Sequence, residues 1–149
     1  MAGMNEQDPR ALVMQHRELQ KRAEMIQQQI TMVKISVDDC TKVLKTIEEL
    51  VNIEEGTEMM FPIGSGSFVY ANIGRVDRIV VDIGSGVSVE RPLKDAQEIM
   101  EKRKAELEKA YENMNASMAQ VSQQMQAIEA VVSRQQQEQQ AQGQGQVPR

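Results

Sequence analysis

Two Gly-Ser-Gly steps, Gly64-Ser65-Gly66 and Gly84-Ser85-Gly86, are the nearest thing in this sequence to a loop that could cradle a phosphate. A phosphate loop needs a Gly-Lys-Ser/Thr ending with a helix behind it, and a dinucleotide fingerprint needs a third glycine opening a helix. Here both steps run into β-rich stretches, so no helix N-terminus faces them and tight turns are the simpler reading. His16 and Cys40 are the single histidine and single cysteine of the chain. A zinc site needs several such ligands, and a catalytic histidine needs a nucleophile and an orienting group. None converge on His16 by spacing. Lys45, Glu48, Glu49, Glu54, Glu55 and the run from Glu101 to Lys104 read as solvated helix faces. No enzyme, metal or cofactor is expected.

The methionines carry more information. There are 11 in 149 residues, against two Phe, two Tyr and no Trp. So few rings do not suit a compact enzyme core, since aromatic side chains supply much of the buried area in such folds. The net charge of −5 gives little attraction for nucleic acid. The longest apolar runs are far short of the ~20 residues that cross a bilayer. The first ten residues lack the apolar run of a signal peptide. A lone cysteine fits a reducing compartment, so the expected location is cytoplasmic.

Glycine is missing over long stretches on either side of a glycine-rich centre. Expected boundaries are 1–55 for a first helix, 56–92 for a β segment, 93–137 for a second helix and 138–149 for a disordered Gln-rich tail. Stepping four and three residues from Leu12 gives Leu12, His16, Leu19, Ala23, Ile26, Ile30, Val33, Val37, Cys40, Leu44, Ile47 and Val51. Only His16 departs from an apolar row, which is the seam of a coiled coil. Asp8-Pro9 supplies a start signal and Gly56 a stop. The same stepping from Leu93 reaches Val132, with Gln97 and Lys104 as departures, and Asp95 to Glu98 resembles a capping box. Seams of equal length suit an antiparallel pair in which facing residue numbers sum to about 144, at ~1.5 Å of rise per residue. Ile26 should then lie near Met118.

In the centre the period changes from seven to two. Met59–Ile63, Phe68–Ile73, Arg78–Ile83 and Val87–Glu90 alternate as strands, and Ile-Gly-Ser-Gly occurs twice between them. Two hairpins follow, and two-stranded units are marginal alone, so their edges call for other chains. Val69, Ala71, Ile73, Ile79, Val81, Ile83, Val87 and Val89 are the expected assembly residues. The expected class is α+β, a long antiparallel coiled-coil hairpin with a central pair of β-hairpins.

Phe61-Pro62-Ile63-Gly64-Ser65-Gly66-Ser67-Phe68-Val69-Tyr70-Ala71, followed by Ile79-Val80-Val81-Asp82-Ile83-Gly84-Ser85-Gly86-Val87-Ser88-Val89-Glu90, resembles the alpha class of prefoldin subunits. The paired turns distinguish that class from the single-hairpin beta class, and the likeness covers about 8–132. The methionine content and the Gln-rich end are not part of the family pattern. The resemblance implies a hetero-hexamer of two alpha and four beta subunits whose hairpins join in an intersubunit β-barrel. It also implies capture of non-native client proteins without ATP and delivery to a group II chaperonin, with no nucleic-acid or membrane partner.

Both termini fall at the far end of such an arm. Met4, Leu12, Met14, Met125, Ile128, Val131 and Val132 gather there and are the expected client contacts. A structural coiled-coil tether docking specific partners is the main alternative, and a helical arm attached to a catalytic partner a further one. Neither accounts for the double hairpin.

Overall fold

The computed structural model describes residues 8–145. Their order is α1 (Pro9–Leu50), β1 (Glu58–Gly64), β2 (Ser67–Asn72), β3 (Arg78–Gly84), β4 (Val87–Pro92) and α2 (Leu93–Gly143). The chain divides into two compact units. One holds the residues up to Val33 and from Ala110 onward; the other holds Lys34–Lys109.

α1 begins where its sequence provides for a start. The Asp8 carboxylate accepts the Arg10 N–H at 3.0 Å, and Pro9 occupies the first helical position, where a missing N–H costs nothing. The helix ends at Leu50, short of the expected stop at Gly56. Asn52 and Ile53 donate to the carbonyls of Glu49 and Leu50, tightening the last turn. Gly56, at φ +86°, serves the following loop, and its N–H donates to the Ile73 carbonyl at 2.7 Å.

α2 begins at Leu93, two residues before the expected cap, and Leu93 donates its N–H to Asp77 at 3.1 Å. Asp95 therefore sits inside the first turn, where its charge favours the helix dipole. At its other end α2 runs to Gly143. Residues 138–143, expected in a disordered tail, are thus helical. Gln, Glu and Ala are good helix formers, and glycine, the poor one, arrives only at 143.

In the unit made by the first part of α1 and the last part of α2, Ile26, Ile30 and Val121 form a buried cluster. Leu19, Ala23, Tyr111, Met114, Met118 and Met125 pack around it. His16 Nε2 lies 2.8 Å from Glu129 Oε1, and Ile26 shares the cluster with Met118, so the segments run antiparallel close to the expected register.

In the second unit Ile47, Val81, Ala96 and Met100 form the core, with Leu44, Ile79, Leu93 and Ile99 against it. β3 lies on both helices here. α2 must then cover a strand as well as a helix, which widens its buried face beyond a heptad seam. Ala96 is accordingly fully buried, whereas Gln97, the seam position, is exposed. Arg103 Nη2 donates to the Asp82 carbonyl at 2.7 Å and ties the hairpin to α2.

The four strands make two separate antiparallel pairs, β1 with β2 and β3 with β4. Both turns have a serine and a glycine in the left-handed region, Ser65 and Gly66 at φ 48° and 72°, Ser85 and Gly86 at 54° and 74°. Two successive positive φ values match the twist of a two-residue hairpin turn, which is why the Ser-Gly step recurs. The pairing slips just before each turn, between Pro62 and Gly64 and between Asp82 and Gly84. Ile63 and Ile83 are left as bulged residues.

Candidate functional site

Among the described residues no group of His, Cys, Asp and Glu is placed to hold a metal ion. No described helix is long and apolar enough to cross a membrane. Among the described residues, exposed apolar side chains gather mainly in two places.

The first is the β1–β2 hairpin. Met60 pairs with Tyr70 and Pro62 with Phe68 on one face, and Met59 with Ala71 and Phe61 with Val69 on the other. Both faces are therefore apolar, and from Phe61 to Ala71 every residue is exposed, Tyr70 at 72%. A two-stranded ribbon that is apolar on both sides and open along both edges presents surface for other strands. The β3–β4 hairpin differs, because one of its faces is committed to the helices.

The eight expected assembly residues divide accordingly. Val69, Ala71, Ile83 and Val87 are exposed, and Ile73, Ile79 and Val89 are half-buried. Val81 is a correction: it is 2% exposed, packed among Ile47, Ala96 and Met100 of its own chain. Alternation grouped Val81 with Ile83 but could not tell an intrachain face from an intersubunit one. The bulge then leaves Ile83 exposed although Val81 is buried.

The second apolar surface belongs to the unit made by the first part of α1 and the last part of α2. Met14 and Val131, expected as client contacts, are exposed there, and Met125 and Val132 are half-buried. Met4 lies outside the described residues. Leu12 and Ile128 are corrections, since both are buried at the seam rather than offered by a fraying end. The Asp8 cap and the continuation of α2 to Gly143 keep this stretch paired. Met25 and Met32, left out of the seven client contacts but expected from their off-seam spacing to face outward as a binding surface, are exposed on α1. Their position off the seam could be read from the sequence.

Each helix has a charge-free stretch beside them, which on α1 begins only after Lys21, Arg22 and Glu24. No charged residue occurs from Met25 to Val33 on α1 or from Asn113 to Ile128 on α2. Two grooves open on this unit. One of about 480 Å³ is lined by Arg22, Met25, Ile26, Gln29, Ala110, Asn113, Met114 and Ser117. The other, about 280 Å³, is lined by Val13, His16, Ile128, Glu129, Val132, Ser133 and Gln136. The companion of His16, Glu129, went unnoticed in the sequence because it lies 113 positions away. The antiparallel register, which sets His16 opposite Ile128, was the signal that could have found it. Such an exposed pair contributes about 0–1 kcal/mol, so it trims the seam rather than anchoring it.

The comparisons with known proteins agree with this architecture. A family model described as Prefoldin subunit matches residues 19–138. Prefoldin subunit alpha of Methanococcoides burtonii is 43% identical over 132 residues, 89% of this chain and 96% of the relative. Prefoldin subunit alpha of Methanosarcina barkeri is 41% identical over 144 residues, 95% of this chain and all of the relative. Among solved structures, a filamentous PFD from Methanocaldococcus jannaschii has the same fold, with a TM-score of 0.67 at 20% identity over 77% of this chain and 95% of the other. Matched by that family model over most of its length and by relatives more than 40% identical along nearly all of it, this chain belongs to the prefoldin family, a family of chaperone subunits rather than enzymes, alongside its alpha class.

Proposed function

We propose that this chain is the alpha subunit of a cytoplasmic hetero-hexamer with four beta-class partners, acting as an ATP-independent holdase. Its hairpins join the partners' strands in a β-barrel, and the first part of α1 with the last part of α2 holds non-native proteins until a group II chaperonin takes them. The observation that carries this reading is the pairing of a methionine-lined helix unit, charge-free from Met25 to Val33 and from Asn113 to Ile128, with a hairpin apolar on both faces. Methionine is flexible and polarisable, so it repacks against many apolar partners, and few nearby charges mean little selection by partner charge. Each large apolar side chain fully covered contributes roughly 1.5–3 kcal/mol, so two or three contacts per arm give a weak grip. Several arms acting on one client strengthen it through effective concentration while leaving release possible.

The test is light scattering with the assembly purified alongside its natural partners. Aggregation of several unrelated denatured proteins should be suppressed at near-stoichiometric amounts without ATP. A coiled-coil tether would suppress none of them. Native mass spectrometry of the same sample should give two copies of this chain with four of a smaller partner.

A further inference from the structure

Met14, Met25 and Met32 form a row on α1. Eighteen residues separate the outer two, which at about 3.6 residues per turn is five turns, and Met25 falls about 20° from the same line. All three are widely open to solvent, 63%, 58% and 69% exposed, whereas Met100 in the other unit is 8% exposed. Met25 also stands at the rim of the larger groove, beside Ile26 and Met114. At exposed helix positions leucine would serve packing and helix propensity at least as well. What methionine adds is a thioether that can be oxidised and restored.

We propose that this row is a site of reversible oxidation by hydrogen peroxide that sets the arm's affinity for apolar segments, an inference that rests on the holdase reading above. The sulfur lone pair attacks one peroxide oxygen and the O–O bond breaks. The sulfur, oxidised by two electrons, keeps that oxygen as a sulfoxide. The other oxygen leaves as hydroxide, which takes up the remaining peroxide proton to give water. Three apolar side chains then become strong hydrogen-bond acceptors. Arg17, Glu18, Lys21 and Arg22 flank the row between Met14 and Met25, whereas from Met25 to Val33 it carries no charge, so there its polarity is set largely by Met25 and Met32. An apolar client segment laid on the oxidised row would have to desolvate the sulfoxides without offering them a donor.

The experiment treats the complete assembly with hydrogen peroxide and follows it by peptide mass spectrometry, sedimentation and aggregation suppression. Met14, Met25 and Met32 should gain one oxygen each before Met100 does. The apparent affinity for an unfolded client should fall about tenfold, the factor equivalent to ~1.4 kcal/mol. Methionine sulfoxide reductases of both epimer specificities should restore it. Because Met60 is also exposed, sedimentation must show the assembly intact. A variant with Met14→Leu, Met25→Leu and Met32→Leu should show the same affinity before and after peroxide, whatever its starting value. Full oxidation of the row with unchanged suppression would overturn the inference alone. So would a leucine variant as peroxide-sensitive as the parent, or disassembly accounting for the whole loss. An untreated assembly that suppresses no aggregation would overturn the holdase reading and this inference together.

Discussion

Val81→Asp should unfold the unit formed by Lys34–Lys109, and the loss of assembly should follow from that. The side chain is 2% exposed and meets Ile47, Ala96 and Met100, none of which can pair with a carboxylate. An uncompensated buried charge typically costs about 3–5 kcal/mol, a large part of the stability of a domain this size. The neighbouring helix segments lose their cover at the same time, so circular dichroism should show lost helix as well as lost strand. Val69→Asp is the necessary contrast. Val69 is exposed opposite Phe61, so that variant should keep its helical signal and melting behaviour yet fail to assemble in sedimentation. Equal loss of structure in both variants would mean that the first hairpin is as deeply committed to its own chain as the second.

Val121→Asp should act on the other unit alone. Val121 is 2% exposed and packs with Ile26 and Ile30. The cost should be similar, but the hairpins and their helical support lie outside this cluster. Hydrogen exchange should therefore show protection lost in 9–33 and 110–143 and kept through most of 34–109. The assembly mass should be unchanged. Uniform loss of protection along the whole chain would show that the two units fold as one.

Much of this architecture was legible in the sequence, and the reasons are particular. The heptad row matches buried and half-buried positions of α1 from Leu12 to Ile47, whereas its last expected member, Val51, lies past the end of the helix and is exposed. The Ser-Gly turns were legible because positive φ at two successive positions leaves few residue choices. Ala96 was missed where α2 touches a strand as well as a helix, since periodicity reports one burial face and not two. Val81 was placed on the right strand and given the wrong partner, as alternation identifies a face and not what covers it. Leu12 and Ile128 were expected to be open near the chain ends, but a capped α1 and an extended α2 keep them buried. The apolar surface at the client contacts thus shifts toward Met14, Met25 and Met32, off-seam positions visible in the sequence as methionines spaced by whole helical turns.

The holdase reading rests on exposed apolar side chains of the unit up to Val33 and from Ala110 onward, and replacing them tests it most directly. In one variant Met14, Met25, Met32 and Val131 all become glutamate, at positions where exposure makes the fold tolerant. Purified with its partners, that variant should retain its helical signal and full assembly mass. Its suppression of aggregation, followed by light scattering against several unrelated denatured proteins, should drop to the level of a control without chaperone. Suppression equal to that of the parent assembly would contradict the account and move client binding to another surface of the complex.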